Sequence, residues 1–403
     1  MSAPPPGGTP GLPPLRVAQV IGTLDWGGTQ ELLVYLAERQ QIERLALRVF
    51  VLSGPLETPY AARLEGAGVP VTYLKRGAGG LPGLVRRLAA GLRAHGVQLV
   101  HAHLRLANTV APPAGRLAGV PVLGGLHLPP PGPGRRARLR GLAEAQSLRR
   151  AALGAIACAA SVARENRARL GTLPIAVLPN PAPPPPPLAA LELRRSTGRV
   201  PGGPVRFLSV GRLSPEKDVD TVLFAAARLA ARGVHFRLSV VGDGTCRAEL
   251  EARARALGLL GRVAFLGARR DVPDLLRLHD VYVSASRAEG LSIALLEAMS
   301  HALPVIATPA GSAFSVVDAS VGRRVPPAAP EALACAMAEL AADPALRAEL
   351  GRSARARVLR SYRVEDWSAA LRRLYRKAAE GDFNGVSIEA GALDEEVFRA
   401  DPF

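Results

Sequence analysis

FLSVGRLSPEKDVDTVL, residues 207–223, is an apolar run, then a turn holding Gly211, Arg212, Pro215 and Lys217, then a segment of helical period. A strand that ends in a glycine-containing turn and opens a helix is the repeating unit of a parallel sheet with helices on both faces. The unit recurs along the whole chain. Strands are predicted at 205–210, 237–241, 263–266, 281–284 and 304–307, and upstream at 16–21, 47–52, 69–74, 99–102, 120–124, 154–157 and 175–178. Between the two series stands PAPPPPP, residues 181–187, which cannot pair in a sheet and acts as a stiff spacer. The expected fold is therefore α/β, with two tandem Rossmann-like doubly wound domains facing a cleft. The expected divisions are 15–182, a Pro-rich linker over 183–199, 200–360, a packing helix over 361–380 and an acidic tail over 381–403. The helix carries Trp367, Leu371, Leu374 and Tyr375 at helical spacing. Ligands of such sheets bind beyond the carboxyl ends of the strands, which places the expected site in the cleft.

Length and composition agree with this division. A chain of 403 residues, 48% hydrophobic and 21% charged, is long enough for two cores and too apolar for a disordered or fibrous protein. No run of about 18 apolar residues is free of charge, and the first fourteen residues, MSAPPPGGTPGLPP, have neither a cationic nor an apolar signal region. A soluble cytoplasmic protein is expected. Cys158, Cys246 and Cys335 stand far apart, so neither a disulfide framework nor a metal site is expected. The net charge is +17, and residues 15–182 hold 21 Lys/Arg against 8 Asp/Glu, a net +13. Two readings stand. The first half attracts an anionic surface, or the arginines reflect an Arg-rich composition in which Lys75, Lys217 and Lys377 are the only lysines. A membrane surface would be met by a helix over 81–95, with Leu84, Val85, Leu88 and Leu92 beside Arg86, Arg87 and Arg93, and by Arg135, Arg136, Arg138 and Arg140. Nucleic acid is not an expected partner.

Four segments hold residues suited to chemistry. Gly27 and Gly28 lie where the first strand turns into a helix, either as a plain tight turn or as a loop whose N–H groups approach a phosphate. Arg212 and Lys217 sit at a helix start, where a forked guanidinium and a point charge suit a diphosphate, the alternative being a solvated pair. Glu289 and Glu297 are eight residues apart. If Glu289 caps a helix, the two carboxylates lie about 12 Å apart, too far for an acid–base pair acting on one bond at about 5 to 9.5 Å. That spacing suits two anchors on one extended polar ligand, or an ordinary amphipathic helix with a favourable Glu in its first turn. His127, at the carboxyl end of a strand, suits a contact to a substrate hydroxyl, whereas His101 alternates inward and reads as core.

Taken together, these segments resemble the GT-B-fold retaining glycosyltransferases of family 4, or glycosyltransferase group 1, from about residue 15 to 379. The resemblance rests on Glu289 to Glu297, matching the family's E-x7-E motif, with EAMSHALPVIAT (297–308), VGRLSPEKDVD (210–220) and VVGDGTCRAELE (240–251). It implies that Arg212 and Lys217 bind the donor diphosphate and that Gly27 and Gly28 approach the phosphate. It implies that Glu289, with Gly290, Leu291 and Ser292, meets the donor sugar, that Glu297 meets the ribose, and that His127 lies beside the transferred sugar. The implied catalytic set is His127, Glu289, Arg212 and Lys217. The implied reaction is transfer of a hexosyl-type group from a nucleotide-diphosphate sugar to a glycan or lipid-linked acceptor, with retention, in polysaccharide biosynthesis. No metal or other cofactor is implied, and the implied location is peripheral, on the inner face of the cell membrane. A GT-B epimerase or phosphorylase, or a non-catalytic relative, would share the cleft. The chain departs from the family pattern at Asn180-Pro181-Ala182-Pro183, at Ala310 to Ser315, and at Gln30, where Glu is common.

Overall fold

The structure, a computed structural model, describes residues 13–383 except 57, 75, 76, 78, 131, 133 and 192–201. Seven strands form the first sheet: β1 (Leu15–Ile21), β2 (Leu45–Val51), β3 (Val71–Tyr73), β4 (Leu99–His103), β5 (Val122–Leu126), β6 (Gly154–Ala157) and β7 (Ile175–Val177). Six form the second: β8 (Val205–Val210), β9 (Phe236–Val241), β10 (Val263–Phe265), β11 (Val281–Ser284), β12 (Val305–Ala307) and β13 (Gly322–Arg324). The orders are β3-β2-β1-β4-β5-β6-β7 and β10-β9-β8-β11-β12-β13, with parallel pairing throughout. Both domains are thus doubly wound, as the sequence leads one to expect. β13 is an addition, because Gly322-Arg323-Arg324 is too short and too polar to signal a strand.

Each sheet reverses its strand order once, between β1 and β4 and between β8 and β11. At such a switch point neighbouring loops run in opposite directions and leave a crevice beyond the strand ends. The loops that matter here leave those strands: Gly22 to Gly28 after β1, Gly211 to Lys217 after β8, and Ala285 to Ser292 after β11. Two glycines hold the β8 loop in place. A Cβ on Gly242, whose φ is +134°, would lie 1.9 Å from the Gly211 carbonyl oxygen, and one on Gly244 would lie 2.3 Å from that of Leu213. Only glycine permits this approach of two backbones.

The domains share a core. One apolar cluster runs from Leu126, Leu148 and Cys158 of the first to Leu291, Leu295 and Tyr282 of the second. The helix Val364–Ala379, next to the second domain in sequence, packs on the first. Leu371, Leu374, Tyr375 and Ala378 join Leu33, Leu99 and Ile156 in one buried cluster, and Phe383 of the tail is buried there too. Glu43 accepts from Ser368 at 2.6 Å and meets Arg372 at 3.4 Å, which fastens this helix to the turn after the helix Gly28–Arg39. The rest of the acidic tail, 384–403, lies outside the described residues.

The proline spacer lies against the protein. Ala182 N–H donates to the Tyr362 carbonyl at 2.8 Å, and Arg355 donates to that of Pro186 at 2.6 Å. Residues 188–191 are helical, and 192–199 of the expected linker fall outside the described residues. The helix Gly80–Ala94 corrects one expectation. Its stripe Leu84, Leu88 and Leu92 is fully buried against Val20 and Val100 and is therefore core, while Leu81 at the helix start is 45% exposed.

Candidate active site

In the second domain Lys217 and Glu289 form an ion pair across the switch point. The Lys217 stem lies over Gly211, whose added Cβ would touch Lys217 Cε at 3.5 Å. Glu289 also accepts from Ser286 Oγ at 2.9 Å. Arg212, one turn away in the same loop, is exposed and has no ion-pair partner among the described residues. Asp218 adopts a left-handed conformation, φ +47°, and takes a forked guanidinium from Arg287 at 2.8 and 3.1 Å. The chain does contain one Asp-x-Asp spacing, Asp218-Val219-Asp220, but Asp218 is committed to Arg287 and to the Thr221 hydroxyl at 2.9 Å. The segment is a structural clasp between the turn after β8 and Arg287.

Glu289 does not cap a helix. The helix is Ile293–Ser300, capped by Ser292, whose Oγ accepts from Leu295 N at 3.4 Å. Glu289 precedes it in the loop, which brings its carboxylate to Lys217. Glu297 stands in mid-helix among Leu295, Leu296, Ala298 and Met299, all buried. No described residue pairs with its carboxylate. Burial, with the Glu31 carboxylate across the cleft as a smaller cause, pushes its pKa up to about 8. The motif's two acids are therefore held differently, one charged and paired, the other protonated at neutral pH for want of a partner.

A raised carboxyl pKa has a definite sign in stability. The unfolded group titrates near 4.5 and the folded one near 8, so stability is fully present below the first value and is lost as pH rises through the second. Glu297→Gln removes that loss. Urea unfolding at about pH 5 and about pH 9 is expected to show wild type losing about 2 to 4 kcal/mol more than Glu297→Gln across the interval.

From the first domain, Gly28 opens the helix Gly28–Arg39, and a Cβ there would meet Ile293 Cδ1 at 3.2 Å. The glycine turn after β1 thus touches the start of the helix that carries Glu297. Gln30 donates to the Thr23 carbonyl at 3.0 Å and clamps the turn; a Cβ on Gly27 would lie 2.6 Å from Gln30 Oε1. Leu32, Tyr35, Ile293, Val364 and Trp367 pack together at the same junction.

His127 follows β5 directly, and its backbone forms the other wall. A Cβ on Gly290 would lie 2.3 Å from the His127 carbonyl oxygen and 2.7 Å from Cys158 Sγ. The imidazole is half-buried, with Nε2 bonded to His103 Nδ1 at 3.1 Å. Burial pushes His127 down to about 4, so the ring is neutral at pH 7. His101 is core, as expected, and so is His103. Two residues here escaped the sequence reading of the site. Asn180, in the departure from the usual hinge, is buried and donates to the Leu291 carbonyl at 2.8 Å, tying the end of the first domain to the Glu289 loop. Cys158, at the end of β6, has its thiol pushed up to about 12 by burial beside Leu291. Asn180 enters the sequence reading only as the start of the Asn180–Pro183 departure from the family pattern. Cys158 reads from the sequence as a small core residue, which it is, at 3% exposure.

Lys217 thus meets Glu289, Gly290 meets His127 and Gly28 meets Ile293, with Arg212 in the loop of Lys217, Gly27 beside Gly28, Leu291 and Ser292 in the loop of Glu289, and Glu297 one helix turn further on. The chain matches the model described as glycosyltransferase family 4 over residues 26–184 and that described as glycosyl transferases group 1 over residues 192–357. Among curated relatives it is similar to the alpha-D-kanosaminyltransferase of Streptomyces kanamyceticus, 32% identical over 42% of this chain and 45% of that one. It is also similar to the lipopolysaccharide core biosynthesis mannosyltransferase LpcC of Rhizobium leguminosarum bv. viciae, 34% identical over 41% of this chain and 49% of that one. In each case the matched span is less than half of the relative's length. Among solved structures, Anabaena HepE in complex with UDP and glucose superposes with a TM-score of 0.77 at 23% identity, over 90% of this chain and 100% of that one. With both tandem domains matched in order and the whole architecture shared, the chain belongs to the GT-B glycosyltransferases.

Proposed function

We propose that the protein transfers a hexosyl-type group from a nucleotide-diphosphate sugar to a glycan or lipid-linked acceptor with retention of configuration, in polysaccharide biosynthesis. One observation carries this reading: the Lys217–Glu289 pair, with Arg212 in the same loop as Lys217, stands at the switch point of the second sheet, and the helix that follows the Glu289 loop touches the glycine turn of the first at Gly28 and Ile293. Arg212 and Lys217 meet the diphosphate, and their charge stabilises the leaving group as the glycosidic bond breaks. On binding, Lys217 exchanges Glu289 for phosphate oxygens and frees Glu289 for sugar hydroxyls. Gly290, Leu291 and Ser292 place backbone groups beside the sugar, with Gly27 and Gly28 next to the phosphates. Glu297 accepts from ribose hydroxyls. The reading invokes no carboxylate nucleophile and no metal, so the leaving phosphate itself helps to deprotonate the acceptor hydroxyl on the same face. Its test is incubation with UDP-, GDP- and ADP-sugars and candidate acceptors, with the product's anomeric configuration read by NMR. A product of inverted configuration would overturn the retaining assignment, and donor epimerised without an acceptor would overturn transfer.

We place the protein at the inner face of the cell membrane, through the helix Arg135–Ala151. Arg135, Arg136, Arg138 and Arg140 are exposed on it, and so are Leu139 and Leu142, at 57% and 64%. Exposed leucines flanked by arginines suit an anionic leaflet. No helix among the described residues is long and apolar enough to cross a membrane. Co-sedimentation with vesicles is expected to rise with anionic lipid, fall with salt and drop at least about fivefold when the four arginines become Gln. Protein left in the supernatant at low salt would contradict the placement.

A further inference from the structure

The first sheet carries a chain of buried polar side chains that nucleotide recognition leaves unused. Gln19 on β1 and His101 on β4 are register partners, and His103, two positions on, shares their face. The three are 1%, 5% and 4% exposed. Tyr375 enters from the C-terminal helix, fully buried, and its hydroxyl stands 2.7 Å from His101 Nδ1. Gln19 Nε2 donates to that hydroxyl at 3.0 Å, while Gln19 Oε1 stands 2.7 Å from His103 Nε2. His103 Nδ1 in turn stands 3.1 Å from His127 Nε2.

Burial keeps all three imidazoles neutral at pH 7. A neutral imidazole has one N–H and one lone pair, so the polarity chosen at one end passes from ring to ring. Gln19 turns its oxygen to His103, so His103 Nε2 carries the proton. His103 Nδ1 is then an acceptor and takes the Nε2–H of His127. That leaves His127 Nδ1 with a bare lone pair, and this nitrogen is buried and has no protein partner.

We propose that Gln19, held by Tyr375, is a positioning residue that fixes His127 as its Nε2-protonated tautomer, so that His127 Nδ1 accepts a hydrogen bond from a hydroxyl of the bound sugar. A bare lone pair selects an O–H donor and refuses a deprotonated phosphate oxygen, which has nothing to donate. The identity of the ligand as a sugar rests on the glycosyl-transfer reading; the tautomer does not.

The test uses the full chain with 15N-labelled histidine, His127 being assigned by comparison with His127→Asn. Long-range 1H–15N spectra are expected to show a protonated Nε2 and a bare Nδ1 on His127. Gln19→Leu, which keeps the bulk and removes the polarity, is expected to release the tautomer and lower donor turnover at least about tenfold. Affinity for whichever of UDP, GDP and ADP the wild type binds should change less than about twofold, because Arg212 and Lys217 are untouched. Should Gln19→Leu fail to fold, Tyr375→Phe frees the Gln19 amide and is expected to act in the same direction. A wild-type His127 protonated on Nδ1, or a variant that keeps the wild-type tautomer or the wild-type turnover, overturns the proposal. Tautomer release in a protein that binds none of the three nucleotides overturns the sugar ligand and the transfer reading instead.

Discussion

Lys217→Ala is expected to lower kcat/KM for the nucleotide-sugar donor by about two to three orders of magnitude. One charged hydrogen bond to a phosphate is worth about 1.5 to 3 kcal/mol, or roughly 10- to 150-fold. The remainder comes from Glu289. Its carboxylate is now neutralised by Lys217 and supported by Ser286 at 2.9 Å, and without the lysine an uncompensated negative charge faces the incoming diphosphate. Lys217→Arg should recover much of the affinity but not the full rate, since a planar guanidinium cannot occupy the space of an ammonium threaded over Gly211. The folded state should change little, because the pair is partly solvated, at 23% and 12% exposure, and such pairs contribute about 1 kcal/mol or less. Steady-state kinetics with a melting curve on each variant checks both halves. A drop in rate that merely follows a drop in stability would count against the assignment.

The second large effect is expected from Gly290→Ala. Its new methyl would overlap the His127 carbonyl oxygen at 2.3 Å and Cys158 Sγ at 2.7 Å, both in the opposite domain. The His127 backbone continues β5 and cannot yield as a flexible side chain would. The methyl therefore acts as a wedge between the domains, stretching the bond from Asn180 to the Leu291 carbonyl and separating Leu291 from the shared core. Overpacking of this kind costs about 1 to 3 kcal/mol. Activity should fall further than stability, by about a hundredfold, because a misplacement near 1 Å between reacting groups has that effect. Isolated nucleotide binding should survive better than turnover, as Arg212, Lys217 and Glu297 all move with the second domain. Wild-type turnover in Gly290→Ala would show that this contact does not set the catalytic arrangement.

Much of this was legible in the residues. Short β-branched runs separated by helical periods announced two parallel sheets, and the strand ends at Val210 and Ser284 came out where the pattern put them. Arg212 and Lys217 stood out because they flank a strand-to-helix turn in a chain with three lysines, and Glu289 because it lies eight residues from Glu297. What periodicity cannot supply is the partner of an apolar face. It marked Leu371, Leu374 and Tyr375 as a packed stripe, yet nothing local says that they pack on the first domain, far away in sequence. The same gap misled the reading of Leu84, Leu88 and Leu92, a stripe equally fit for lipid or for core until Val20 and Val100 are seen beneath it. The two-turn distance between Glu289 and Glu297 held only if Glu289 capped the helix, and Gly290 with the N-cap residue Ser292 marks instead a helix that starts at Ile293. The tautomer chain from Tyr375 to His127 joins residues from four separate elements and exists only once they are folded together.

The account stands most directly on one titration. UDP, GDP and ADP are added in a calorimeter to the full chain and to an Arg212→Ala, Lys217→Ala double variant of unchanged melting temperature. The account predicts one-site binding of at least one of the three to the wild type, weakened by at least about a hundredfold in the double variant, as the loss of two charged contacts requires. Binding of equal strength in both proteins, or no heat from any of the three with the wild type, would contradict it.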